Sequence, residues 1–206
     1  MECLEIEVKF LLTDIDTLRN RLIKLGATSD GRSFESNLIF DDEANRLALA
    51  RSLLRLRQAR TATLTFKSPP DQANEAFKVL HEIEVGVDDF PAMKKILEAL
   101  GYEQKFIYEK WRESFLLEDT HFCIDTLPFG HFLEIEGQME KIQKFADQLE
   151  LSWPRRIVQN YHQLFRIIRH RLELGFSDIT FDNFAKAGIE PEHCTRILDE
   201  SGQGTI

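Results

Sequence analysis

The sequence predicts an α+β domain in which strands close into a β-barrel around a charged lumen, with helices flanking the outside. Seven short stretches place charged residues at alternate positions: Glu5-Ile6-Glu7-Val8-Lys9, Arg55-Leu56-Arg57, Thr65-Phe66-Lys67, Glu82-Ile83-Glu84, Lys110-Trp111-Arg112, Cys123-Ile124-Asp125 and Glu134-Ile135-Glu136. Successive side chains of a strand point to opposite faces, so the charges share one face and the apolar residues the other. One such strand reads as a solvated sheet face; seven with charges of both signs point to an enclosed, charged one. The order strand, helix, strands also occurs twice without a sequence repeat, as expected for two halves of one barrel.

The elements follow in order. After the first strand, Asp14 or Thr13 caps a helix with Ile15, Leu18, Leu22 and Leu25 at helical spacing, closed by Gly26. Asn37 to Asp41 is a short strand and Asp42 to Asn45 a polar turn. Leu53 to Arg57 and Thr61 to Lys67 form an antiparallel pair, stopped by Pro69-Pro70 before a loop over Asp71 to Asn74. The strand Leu80 to Val87 leads through Asp88, Asp89 and Pro91 into a helix with Met93, Ile96, Leu97 and Leu100 on one face, ended by Gly101. Strands follow at Phe106 to Leu117, His121 to Leu127 and His131 to Glu136, the last two joined by the turn Leu127-Pro128-Phe129-Gly130. Met139 to Leu149 and Asn160 to Arg171 are helices, the second with Tyr161, Leu164, Phe165 and Ile168 facing inwards. Asp182 to Leu198 holds one or two short helices, and the end at Ser201 to Gly204 is mobile.

The chain of 206 residues, 43% of them hydrophobic, is long enough for a real core. A net charge of -9 argues against non-specific nucleic-acid binding, because no positive surplus neutralises phosphates. With no apolar leader or bilayer-length apolar run after Met1, a cytoplasmic protein without a membrane partner is expected. Cys3, Cys123 and Cys194 are odd in number and far apart, which suits reduced thiols. Trp111, Trp153 and most phenylalanines read as packing residues, and His81, His121 and His131 as surface ones. Asp41 could orient a neighbouring basic residue, and Arg155-Arg156 reads as a solvated loop.

The lumen would hold Glu5, Glu7, Glu82, Glu84, Asp125, Glu134 and Glu136 against Lys9, Arg55, Arg57, Lys67, Lys110 and Arg112. So many ions must pair with one another, with water, or with a charged ligand and metal. Carboxylates two apart on a strand have Cα atoms about 7 Å apart, near enough to ligate a hard cation. All donors are oxygens, which favours Mg2+ or Mn2+ over zinc. Seven carboxylates and six cations leave about one negative charge; two divalent ions bring it to about +3, which a triphosphate near -4 balances. Arginine clamps phosphate bidentately and lysine acts as a point charge. There is no Gly-rich phosphate loop, so a helix-dipole cradle is not the device.

The opening Glu5-x-Glu7-x-Lys9, Leu54-Arg55-Leu56-Arg57, Leu64-Thr65-Phe66-Lys67, Glu82-x-Glu84, Lys110-x-Arg112, Asp125 and Gly130-x-Phe132-Leu133-Glu134-Ile135-Glu136 together resemble the CYTH superfamily of triphosphate tunnel metalloenzymes, over roughly Met1 to Arg169. The resemblance implies an eight-stranded antiparallel tunnel over 1–170, with 171–206 a C-terminal helical or irregular extension. It implies Glu5, Glu7, Glu134 and Glu136 as ligands of Mg2+ or Mn2+, with Asp125 assisting. Arg55, Arg57, Lys67, Lys110 and Arg112 would bind phosphates, and Glu82 and Glu84 would lie near the metals or the attacking water. Lys9 would position or activate the nucleophile, the latter if its pKa is lowered. The chain departs from the family at Leu80 and His81, where many members carry an arginine; Lys78 shares the face of Leu80. It departs again at Glu35-Ser36-Asn37, where relatives have a different polar approach to the strand.

The family's members hydrolyse inorganic, thiamine or nucleoside triphosphates, or cyclise ATP to cyclic AMP and pyrophosphate as class IV adenylyl cyclases. The expected function is a metal-dependent triphosphatase acting on a triphosphate-containing small molecule. The alternatives are an adenylyl cyclase and a non-catalytic binder of polyphosphate or nucleotide. A homodimer is the arrangement implied by the cyclase-like members.

Overall fold

The computed structural model describes residues 3–72 and 74–201, with the backbone alone for Cys3. Beyond Ser201, the stretch expected to be mobile lies outside the described residues, as do the Cys3 thiol and one residue of the loop at 71–74.

Eight strands form the barrel: β1 (Cys3–Leu12), β2 (Thr28–Asp41), β3 (Leu53–Gln58), β4 (Ala62–Ser68), β5 (Lys78–Val87), β6 (Glu103–Leu117), β7 (Thr120–Leu127) and β8 (Gly130–Glu136). The ring runs β1-β5-β4-β3-β2-β6-β7-β8 and closes on β1, every pair antiparallel. Closure removes the sheet edges and gives the alternating sequence a sealed inner face.

Helices α1 (Ile15–Lys24), α3 (Phe90–Ala99), α4 (Met139–Gln148) and α5 (Tyr161–Arg171) stand where helical spacing predicts them. Asp14 caps α1 through the Thr17 amide, and Asp89 caps α3 through that of Ala92. The tail resolves into α6 (Phe181–Ala187) and α7 (Pro191–Glu200). Among the described residues no helix is long and apolar enough to cross a membrane.

Three readings change. β2 is far longer than the strand expected at Asn37 to Asp41, because Gly31, at φ 81°, sits in a register irregularity that hides the alternation of its first half. The polar turn after Asp41 continues into a short helix, α2 (Arg46–Leu49), whose Leu47 and Ala48 amides donate to Asp41. Asp41 thus orients backbone rather than a basic side chain. Trp111 is not core: it lies on the outer face, 39% exposed, with Arg32 over its ring and Phe34 against its edge.

The outer face packs as the period-two pattern requires. Val8, Phe10, Phe122, Leu133 and Ile135 form one core with Leu18 and Leu22 of α1 and Ile142 and Phe145 of α4. Leu38, Phe40, Leu54 and Leu56 form another with Leu97 of α3. The third cluster closes one end of the lumen. Leu11, Leu127 and Phe132 continue the inward-facing rows of Lys9, Asp125 and Glu134, and Tyr161, Leu164, Phe165 and Ile168 of α5 pack against them. Phe184 of α6 and Cys194, Ile197 and Leu198 of α7 share this cluster. The segment before α6 is tied on by backbone: the Ile179 amide donates to Ile107, and the Glu109 amide to Ile179, both at 2.8 Å.

Candidate functional site

β1 and β8 build an acidic wall. Antiparallel register sets Glu7 opposite Glu136 and Lys9 opposite Glu134. Lys9, only 2% exposed, hydrogen-bonds Glu7 and lies 3.3 Å from Glu134 Oε1. Lys78 enters from β5 and donates to Glu7 Oε1 at 2.7 Å, so the cation absent before the Glu-x-Glu strand is supplied two residues ahead of Leu80. Lys67 donates to both Glu5 oxygens, at 2.5 and 2.6 Å, and also meets Glu82.

These contacts set the charge states. Burial pushes the Glu7 carboxyl up, but Lys78 and Lys9 outweigh it and hold it well below the usual range. Burial pushes the Lys9 ammonium down, yet Glu134 and Glu7 raise it above its ordinary value. Glu134 and Glu7 thus keep Lys9 as an ammonium in this structure. Glu136 is the opposite case: burial and the neighbouring Glu5 and Glu7 push its carboxyl up to about 7.

The facing wall, on β2, β3 and β6, is basic. Arg55 Nη1 donates to the Tyr108 hydroxyl and Nη2 to Thr65, each at 3.2 Å, while its Nε has no partner among the described residues. Arg57 meets Glu84 at 3.3 Å, and the Thr65 hydroxyl donates to Glu84 at 2.7 Å. Between Arg57 and Lys110 stands Glu35, an inward-facing carboxylate that the sequence reading did not place in the lumen.

Asp125 joins the walls at the closed end. It is fully buried and accepts from Lys110 at 2.8 Å, from Arg112 at 2.7 and 2.5 Å, and from the Tyr161 hydroxyl at 2.8 Å. Asp125, expected to assist at a metal, is engaged here in orienting two cations. Arg112 reaches on to Glu134. The Tyr161 ring lies 5.3 Å from Lys9 Nζ and 5.4 Å from Lys110 Nζ. Tyr161 opens α5, where Asn160 and Gln163 form a reciprocal capping box that fixes where the helix begins.

The structure thus brings all thirteen expected residues to one lumen and adds Glu35, Lys78, Tyr108 and Tyr161. The hydrophobic register of β2 and β6 would have revealed Glu35 and Tyr108 had the full length of β2 been recognised. Tyr161 was legible as an inward helix residue, but not as the one touching the charges. Cys123 also lines the lumen, where burial raises its thiol to about 12, so it stays protonated.

Among the described residues no three His, Cys, Asp or Glu side chains are gathered closely enough to hold a metal as they stand. The donor set still fits a hard divalent cation: all its donors are oxygens, and burial together with the Glu5 and Glu7 carboxylates raises Glu136 to about 7, a cost that a bound cation would relieve. Glu7, Glu134 and Glu136, with Glu5, are the residues that would hold it.

Comparison with known proteins gives the family. No curated protein matches the chain. Among solved structures it resembles a candidate adenylate cyclase from Vibrio parahaemolyticus, at TM-score 0.70 and 21% identity, covering 79% of this chain and 97% of that one. It also resembles a candidate adenylate cyclase from Bacillus halodurans, at 0.58 and 19%, covering 80% and 98%. A third is a candidate adenylyl cyclase from Hippeastrum described with a dominant triphosphatase activity, at 0.58 and 19%, covering 81% and 96%. These likenesses establish the fold. The sequence model of the CYTH domain matches residues 4–157, from the first strand to the segment that bridges Lys9, and the chain belongs to the CYTH family.

Proposed function

We propose that the protein is a metal-dependent phosphohydrolase acting on a triphosphate held in the barrel lumen. The observation that carries this is the division of the lumen into an acidic wall, with Glu7, Glu134 and Glu136, and a basic wall with Arg55, Arg57 and Lys110. A chain of phosphates bridging a divalent ion and an arginine cluster satisfies both walls. A structural barrel would have no use for the unpartnered Arg55 Nε.

Within this reading, Arg55, Arg57, Lys67, Lys110 and Arg112 bind and align phosphate oxygens. When bound, Mg2+ or Mn2+ supplies neutralisation of phosphate charge and polarisation of the phosphorus. Lys9, kept charged by Glu134 and Glu7, orients the reacting phosphate rather than removing a proton. Glu82, whose Oε2 is engaged by Lys67, stands beside the acidic wall, where its carboxylate could help align an attacking water once a phosphate draws Lys67 away. Tyr161 and the apolar cluster beneath it exclude bulk water from the closed end.

Adenylyl cyclisation is the second reading, favoured by the likeness to candidate adenylate cyclases; the Hippeastrum protein, described with a dominant triphosphatase activity, favours hydrolysis on the same fold. Incubation with Mg2+ or Mn2+ and, separately, tripolyphosphate, ATP and thiamine triphosphate tests the choice. Phosphate release without cyclic AMP is expected. Cyclic AMP and pyrophosphate from ATP would replace hydrolysis with cyclisation, and no turnover would leave a binder.

A further inference from the structure

Glu35 differs from the closely paired acids of the lumen. Glu5, Glu7, Asp125 and Glu134 each hold a cation at direct hydrogen-bond distance, as with Glu5 to Lys67 at 2.5 Å and Asp125 to Lys110 at 2.8 Å. Glu35 is only 4% exposed, yet its nearest cations stand off, Lys110 at 3.7 Å and Arg57 at 3.9 Å, and Oε2 receives no hydrogen bond. Burial pushes its carboxyl up, but Lys110, Arg112, Arg57 and Arg55 bring it down to about 2, so the group is an anion at any working pH. A counter-ion built for stability closes on its partners, because a buried charge recovers its desolvation cost only at short range. A loosely held anion encircled by four cations is the arrangement of a bound phosphate rather than of a salt bridge.

We propose that Glu35 is a built-in competitor for phosphate. Its carboxylate stands among Arg57 and Lys110 where a phosphate group of the ligand binds, and it weakens the hold of the tunnel on released phosphate. This rests on the reading of the lumen as a triphosphate site. It goes beyond that reading in assigning to one acid the task of speeding product departure. A ligand phosphate drawn in by the same cations meets like charge at that point, which costs affinity for the small products more than for a triphosphate anchored along the whole lumen.

Titration calorimetry without added metal, using inorganic phosphate, pyrophosphate and tripolyphosphate, tests the idea on the full-length protein and on Glu35→Gln. Glutamine keeps the shape and removes the charge. Phosphate and pyrophosphate are expected to bind at least about tenfold tighter to the variant, about 1.4 kcal/mol, and pyrophosphate to become a stronger inhibitor in steady-state assays. Unchanged or weaker product binding with intact tripolyphosphate binding would overturn the role of Glu35 and leave the triphosphate site standing. If the wild-type protein bound no tripolyphosphate and Arg57→Ala changed nothing, both readings would fall. Glu84→Gln removes a neighbouring charge already paired with Arg57; a gain as large as that of Glu35→Gln would show a diffuse field effect and likewise overturn the proposal.

Discussion

The two walls of the lumen carry similar residues and behave differently. On the β1–β8 wall each carboxylate except Glu136 has a lysine or arginine against it, and those cations are consumed in the contact: Lys9 by Glu7 and Glu134, Lys78 by Glu7. On the β2–β3 part of the basic wall the contacts are long and capacity is left over, with Arg57 to Glu84 at 3.3 Å, Arg55 to Glu84 at 3.8 Å and Arg55 Nε unpartnered among the described residues, whereas Lys110 and Arg112 of β6 close on Asp125. The acidic wall is self-compensated and the basic wall is in surplus. On the proposed function, a polyanion would be drawn to the basic side, and a divalent cation would enter the acidic side at Glu136 and compete with Lys9 and Lys78 for Glu7. The contrast also explains why burial alone says little: both walls are buried, and only the partner distances separate a closed ion pair from a poised one.

The largest break in this contrast comes from Glu7→Gln. It removes a ligand expected for the cation and leaves Lys9 and Lys78 without their shared partner. Turnover of tripolyphosphate at saturating Mn2+ should fall at least about a hundredfold, measured as initial rates of phosphate release across a Mn2+ series. Retention of both activity and metal dependence would remove the acidic wall from the reaction. Arg57→Ala attacks the other wall and should have a smaller effect of a different kind. Because Arg57 spends little on its protein partners, its loss should raise KM about tenfold with kcat within a few-fold. Equal falls in kcat and kcat/KM would instead place Arg57 in the transition state alone.

Glu136 separates the walls by pH. Its carboxyl is raised to about 7 in the folded chain from its ordinary value of 4.5, so the folded state holds a proton that the unfolded state has already released. That contribution is present in full below pH 4.5 and is lost as the pH rises through 7. Glu136→Gln should accordingly stabilise the metal-free protein at pH 8 by on the order of 1–2 kcal/mol, and the gain should vanish towards pH 4.5. Urea unfolding at both pH values reads it, and a gain independent of pH would mean that repulsion at the acidic wall is not its source.

Much of this was legible in the sequence because the barrel enforces one rule on every strand. Seven alternating stretches named the lumen residues, and the register places them there, as with Lys9 opposite Glu134 and Glu7 opposite Glu136. Glu35 escaped because Phe34-Glu35-Ser36-Asn37 carries a single charge, with neutral Ser36 and Asn37 after it, so no alternation of charge marks an enclosed face. Lys78 was legible only as sharing the face of Leu80, because it lies just ahead of the alternating part of β5. The state of Lys9 could not be read at all: whether a buried lysine is neutral or charged depends on distances to Glu7 and Glu134 that only tertiary packing fixes.

The floor of the lumen is where the walls are coupled, and it depends on a residue outside the matched domain. Asp125 receives three hydrogen bonds from Lys110 and Arg112 and a fourth from the Tyr161 hydroxyl, and the Tyr161 ring touches both Lys9 of one wall and Lys110 of the other. Burial and the nearby Asp125 carboxylate push the Tyr161 phenol well above its ordinary value, so it remains a donor throughout the working pH range. Tyr161→Phe keeps the ring over both ammonium groups and deletes one of four donors to an acid that stays saturated by the rest. The expected cost is about 1 kcal/mol of unfolding free energy and a two- to threefold rise in KM for tripolyphosphate, with kcat held. Tyr161→Leu also removes the ring that both ammonium groups contact. If the two substitutions behaved alike, the hydroxyl would be the whole of the coupling; a further loss in the leucine variant would show that the aromatic face is what allows the acidic and basic walls to meet at one point.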